Sequence, residues 1–125
     1  MMPFCTVINC MDGRVQLPVN EYLRKELSVD YVDTITEAGP VRILADDNES
    51  SLARSILNRV DISVNKHKSK VVTIVAHHDC AGNPFDKDEQ LEQLKAAVRW
   101  LTEKYPETKI LGLWIGSDWV VEKIF

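Results

Sequence analysis

Four short apolar runs, each closed by turn chemistry and separated by stretches of helical period, constrain this chain more than any other feature. Phe4–Cys10 (FCTVINC) is rich in β-branched residues and stops abruptly at Met-Asp-Gly-Arg. Tyr31–Thr36 is stopped by Glu-Ala-Gly-Pro, and Ile110–Ile115 forms the fourth run. Val71–Ala76 (VVTIVA) is apolar almost throughout, as a central parallel strand buried on both faces must be. After the first run, Pro18 suits a first helical position, with Val19, Tyr22, Leu23 and Leu27 following at helical spacing. After the second, the polar cluster Asp46–Ser51 offers N-caps to a helix whose apolar face is Leu52, Ile56, Leu57 and Val60. After the third, Asp86 and Glu89 form a capping box for a stripe of Leu91, Leu94, Val98, Leu101 and Tyr105, ended by Pro106. The order βαβαβαβ predicts a three-layer α/β/α fold around a mainly parallel sheet. With no repeat and no linker, residues 1–125 read as a single domain of ordinary size. The apolar tail after Gly116 predicts a last edge strand or a packed segment; the sharper alternative is that Trp119, Val120, Ile124 and Phe125 join a subunit interface.

Composition removes several functions. Fifteen Lys plus Arg against nineteen Asp plus Glu leaves a net charge of −4, so no basic surface is available to neutralise phosphates and a nucleic-acid partner is not expected. At 45% hydrophobic and 27% charged residues the chain has the balance of a globular protein rather than a disordered one. Its apolar runs are too short to cross a bilayer, so no membrane partner is expected. The opening Met-Met-Pro-Phe-Cys-Thr lacks the charged region and cleavage site of a signal peptide, which predicts a cytoplasmic protein. Three cysteines are too few for a disulfide framework; in that setting they are core residues, metal ligands or nucleophiles.

In open α/β sheets, ligands bind beyond the carboxyl ends of the strands, near the switch in strand order. Two segments rich in thiol, imidazole and carboxylate lie there: Cys10-Met-Asp12-Gly-Arg14 and His77-His78-Asp79-Cys80. A strand order of 2-1-3-4 makes the first and third strands neighbours and brings Cys10 beside His77 and Cys80. Two thiols and an imidazole are the soft set that zinc prefers, with a fourth position left for water or a carboxylate. A second reading makes Cys10 or Cys80 a nucleophile activated by His77 or His78 and oriented by Asp79. Cys5, in mid-strand, reads as a small buried hydrophobe, and His67 as a hydrogen-bonded structural residue. The five scattered glycines form neither a dinucleotide fingerprint nor a phosphate loop.

Cys10-Met-Asp12-Gly-Arg14 resembles the Cys-x-Asp-x-Arg motif of the β-class carbonic anhydrases, and Ala76-His77-His78-Asp79-Cys80-Ala81-Gly82 resembles that family's Gly-His-x-x-Cys-Gly. Glu37-Ala38-Gly39-Pro40 is similar to the family's Arg-Asn-Ala-Gly turn, in the same order along the chain. The resemblance implies that Cys10, His77 and Cys80 hold zinc and that Asp12 and Arg14 form the family's dyad. It implies hydration of carbon dioxide to bicarbonate, or of a similar small linear electrophile, by a zinc-bound hydroxide, in a homodimer or higher homo-oligomer. Two thiolates weaken zinc as a Lewis acid, which gives value to Asp12 as an acceptor that orients the nucleophile. Arg14 would keep Asp12 off the metal through a bidentate pair. The first strand begins at about Phe4, so the family's N-terminal helical arm and its glutamine segment are not expected. Glu37 stands for the family's asparagine, and Ala81 for the first glycine after the second cysteine. These departures predict weak hydration; the alternative is a catalytically silent zinc-binding homologue with a structural or regulatory role.

Overall fold

A computed structural model describes residues 3–125. Strands β1 (Phe4–Cys10), β2 (Tyr31–Glu37), β3 (Val71–His77), β4 (Lys109–Ile115) and β5 (Val121–Lys123) form one sheet in the order β2-β1-β3-β4-β5. The first four strands are parallel, and β5 runs antiparallel to β4. The α/β architecture and the 2-1-3-4 order expected from the sequence are both present. The tail is an edge strand, as the plainer of its two readings required, and Ile124 packs onto the core.

Helices α1 (Gln16–Leu27), α2 (Pro40–Asp46), α3 (Ser51–Lys66) and α4 (Lys87–Lys104) cover the sheet. On one face Ile8, Ile74 and Trp114 pack against Leu44, Ile56, Val60, Leu94 and Leu101 from α2, α3 and α4. On the other, Cys5, Val7, Val75 and Leu113 meet Val19 and Leu23 of α1. Each fully buried Leu or Ile of this kind contributes about 1.5–3 kcal/mol. Cys5 is wholly buried, as expected, and desolvation pushes its thiol up to about 11. His67 is structural too: its Nδ1 lies 2.6 Å from Asp33 Oδ2, and its ring stacks on Phe4.

Several boundaries differ from the pattern in the sequence. A turn of 3₁₀-helix at Gly13–Val15 runs directly into α1, so Pro18 is the third helical residue rather than the first. The short α2 has no counterpart among the expected helices. Gly39, at φ 60°, turns the chain in the left-handed region, and Pro40 then opens a seven-residue helix too short to display a period. Ser50 caps α3 by accepting from the Ala53 N–H, and the buried face is Ala53, Ile56, Val60 and Ser63, which leaves Leu52 exposed. The Asp86 side chain caps α4 on the Glu89 N–H as expected. The buried stripe of α4 includes Gln90 and Gln93 beside Leu94 and Leu101, so it is less apolar than the leucine spacing suggested.

Candidate metal centre

Because β1 and β3 are adjacent and parallel, their carboxyl ends open side by side. Cys10 is the last residue of β1 and His77 the last of β3; Cys80 follows in a tight loop closed by a bridge to Asn83. All three are buried, and their ligand atoms lie within 4.8 Å of one another. The Cys10 and Cys80 sulfurs are 3.8 Å apart, far beyond a disulfide bond. For a tetrahedral zinc with Zn–S near 2.3 Å, the sulfur–sulfur edge is about 3.8 Å. The spacing fits.

The histidine carries a second sign. His77 Nδ1 lies 2.7 Å from the His78 carbonyl, an acceptor, so Nδ1 bears the proton. Nε2 is then a lone-pair donor, and it is buried without any hydrogen-bond partner. An orphaned buried nitrogen beside two sulfurs is what a metal ion would satisfy. The two thiols titrate as a pair. The hydrogen bond they share favours a thiolate on one sulfur, which lowers Cys10 against the opposing effect of burial. It holds the proton on the other, which together with desolvation raises Cys80.

Asp12 and Arg14 sit at the rim. The two-residue spacing has a local cause: Asp12 Oδ1 accepts from the Arg14 backbone N–H at 2.9 Å and caps the 3₁₀ turn. The Arg14 side chain then folds back, with Nε 3.0 Å from Asp12 Oδ1 and Nη2 2.7 Å from Oδ2. This bidentate contact holds the Asp12 carboxyl at about 2. Arg14 also reaches Asp79, through Nη1 to the carboxylate at 3.3 Å and Nη2 to the carbonyl at 3.0 Å. Its guanidinium lies 4.3 Å from the centre of the Trp119 ring. Asp79 therefore faces Arg14, whereas the nucleophile reading needed it to orient a histidine.

A cavity of about 180 Å³ lies against Cys10, Met11, Asp12, Ala38, Ala81 and Gly82. A larger hollow of about 370 Å³ between α1 and β2 is lined by none of the two thiols or His77. The small cavity is shaped by two loops in backbone contact. A Cβ on Gly82 would stand 2.6 Å from the Ala38 carbonyl carbon, and one on Gly39 would stand 2.7 Å from the Gly82 oxygen. Glu37, where the turn it resembles carries asparagine, is ion-paired with Arg59 of α3.

Two supporting residues have no place in the motifs. Gln16 Nε2 donates to the carbonyls of Cys10 at 2.7 Å and Asp12 at 2.9 Å. Gln90 Nε2, from inside the core, donates to the carbonyls of His77 at 2.9 Å and Phe85 at 3.0 Å. Gln90 announces itself faintly in the sequence, as a polar residue in helical register with Leu94, Ala97 and Leu101. Gln16 gives no such sign.

This sheet order, with a buried Cys-His-Cys cluster at the open ends of β1 and β3, defines a β-carbonic anhydrase type of architecture. Over residues 1–125 the sequence matches the family described as "putative carbonic anhydrase", and the chain belongs to that family. Relatives in sequence include an uncharacterized protein of Rickettsia bellii, 24% identical over 132 residues, covering 95% of this chain and 80% of the relative. An uncharacterized protein of Rickettsia conorii is also 24% identical, over 95% of this chain and 70% of its own length. In structure, the chain is similar to a carbonic anhydrase from Glaciozyma antarctica, with TM-score 0.64, 17% identity, and 99% of this chain on 82% of that one. It is likewise similar to a tetrameric β-carbonic anhydrase of Sordaria macrospora, with TM-score 0.66, 12% identity, and 99% of this chain on 81% of that one.

Proposed function

We propose that this chain, as one zinc-binding domain, hydrates carbon dioxide to bicarbonate or adds water to a similarly small linear electrophile. One observation carries the reading: the buried, unpartnered His77 Nε2 beside two sulfurs separated by a tetrahedral zinc edge. Cys10, His77 and Cys80 would hold the zinc. Bound there, zinc would let a water molecule ionise far closer to neutral pH than it does in bulk.

The chain's own groups supply the rest. The His77 Nδ1–H bond to the His78 carbonyl fixes the tautomer and aims Nε2 at the cluster. Two thiolates offset most of a divalent charge, so an acceptor that orients the attacking oxygen gains importance. Asp12, ionised at every ordinary pH, is an acceptor only. It would accept a hydrogen bond from the attacking O–H and leave that oxygen's lone pair free for the substrate. Arg14 engages both Asp12 oxygens, which keeps the carboxylate in that role. The mainly apolar cavity beside Cys10 has room for a small uncharged linear molecule and offers it little polar competition. A carbon–oxygen bond forms, one proton passes to solvent, and the anionic product leaves.

Assembly as a homodimer or larger homo-oligomer is part of the same reading. It is supported by exposed Met11 at the rim and exposed Leu17 in the first turn of α1, by the edge position of β2, and by the tetrameric Sordaria enzyme. Three free cysteines suit the reducing cytoplasm. No described helix is long and apolar enough to cross a membrane. Metal analysis and stopped-flow hydration of carbon dioxide test the reading together. One zinc per chain is expected, with activity that falls in Asp12→Ala while the metal stays. Full zinc loading without hydration would leave the chain a silent zinc-binding member of its family.

A further inference from the structure

Arg14 is more tightly held than its pairing with Asp12 requires. About half of its side chain is exposed, and ion pairs in such positions ordinarily hold their geometry weakly. Here the guanidinium is enclosed on three sides. Nε and Nη2 grip Asp12, Nη2 and Nη1 reach the carbonyl and carboxylate of Asp79, and the flat face rests on Trp119 at 4.3 Å. Trp119 comes from the turn between β4 and β5, more than a hundred positions from Arg14 in the sequence.

The backbone shows that this turn is shaped around the ring. Trp119 has φ 59° and Asp79 φ 55°, both in the left-handed region. Asp tolerates that conformation; a tryptophan there is a genuine outlier, and such outliers persist where the surroundings over-determine them. The turn is closed by the Trp119 N–H donating to the Gly116 carbonyl and the Val120 N–H to Asp118 Oδ1. The ring is half-buried against the core beneath α1, 6.3 Å from the rings of both His77 and His78. A glycine would suit this backbone better, but it would leave the guanidinium face open to water.

We propose that Trp119, with Asp79, is a positioning element that locks Arg14 onto Asp12, so that the β4–β5 turn decides whether Asp12 stays at the rim or turns onto the metal. Planar guanidinium over an indole face is a favourable and directional contact. With Trp119 in place, Arg14 is held from following a moving carboxylate, and Asp12 can reach the cluster only by breaking both hydrogen bonds of its bidentate pair as well as its cap on the Arg14 N–H. Without the ring, Arg14 is free to swing into solvent, and Asp12 becomes available as a fourth ligand. The role of Asp12 toward zinc rests on the proposed function; the locking of Arg14 does not.

The experiment separates the two. In metal-free protein labelled with nitrogen-15, solvent exchange of the Arg14 Nε–H is measured in wild type, Trp119→Gly and Trp119→Phe. Trp119→Gly accepts the positive φ, and its amide spectrum reports that the fold is kept. Exchange is expected to be faster by about tenfold in Trp119→Gly, the scale set by loss of a cation–π contact, and close to wild type in Trp119→Phe, which keeps an aromatic face. Equal exchange in wild type and a folded Trp119→Gly overturns the proposal. The visible spectrum of the cobalt-substituted protein at one fixed pH gives the second arm. Trp119→Gly should change the metal's ligand field, and the change should vanish on an Asp12→Ala background. A change that persists without Asp12 overturns the link to Asp12. Failure to take up cobalt would defeat the metal reading alone, and the Arg14 exchange rate would still decide the lock.

Discussion

Replacing Gln90 by leucine tests how the core holds the loop that carries His77 and Cys80. The side chains have similar volume, so the cavity contribution is small and the change is mainly one of hydrogen bonding. Gln90 is 1% exposed, and its Nε2 satisfies the buried His77 carbonyl and the partly buried Phe85 carbonyl. Orphaning a buried carbonyl costs about 1–3 kcal/mol, and the half-buried one adds about 1 kcal/mol because water can partly replace the donor. Against this, Gln90 Oε1 is itself buried without a partner, and its removal returns about 1 kcal/mol. The net loss is about 2 kcal/mol. At about 2.1 cal/mol/K per residue, a chain of 125 residues has an unfolding entropy near 0.26 kcal/mol/K, so Tm should fall by about 8 °C. Calorimetry and urea unfolding of the metal-free protein measure this directly. Zinc affinity, measured by competition with a chelator, should drop by about 10-fold or more, as when other outer partners of metal ligands are removed. A Gln90→Leu protein as stable as wild type, with unchanged zinc affinity, would refute the reasoning.

Cys80→Ser should lower zinc affinity by more than about 100-fold, beyond the range of outer-partner effects, whereas Cys5→Ala should cost about 1–2 kcal/mol of stability and leave zinc content intact. Gly82→Ala should destabilise by about 1–3 kcal/mol and disturb the cavity, because its Cβ would press on the Ala38 backbone; equilibrium unfolding checks the first effect. For Asp12 the folded pKa of about 2 lies below the ordinary 3.8, so the Asp12–Arg14 contribution is present above pH 3.8 and disappears as pH falls through about 2. A carboxyl carbon-13 titration of metal-free Arg14→Ala should return Asp12 toward the ordinary value, and an unchanged midpoint would show that Arg14 is not the cause.

Period and punctuation alone determined most of the architecture. VVTIVA could only be a buried central strand, the capping pair Asp86 and Glu89 set the start of α4, and the alternation of elements left little besides a parallel α/β sheet. The clustering of Cys10, His77 and Cys80 followed from the same reasoning, since strand ends and strand order place side chains without any knowledge of packing. The Asp12–Arg14 pair was expected from the resemblance of Cys10-x-Asp12-x-Arg14 to a family motif, and the structure adds its local cause, the Asp12 side chain capping the turn on the Arg14 N–H. Short helix α2 escaped because seven residues show no period, and its start depends on a left-handed glycine whose conformation is not written in its identity. Only the tertiary structure could decide that Trp119 lies on Arg14, that Asp79 faces the guanidinium, and that Gln90 ties α4 to the His77 carbonyl. These contacts join residues remote in sequence through side-chain directions, which no periodicity encodes. The orphaned His77 Nε2 belongs with them: a lone pair left unsatisfied is a property of everything packed around it, and it appears only when the whole core is in place.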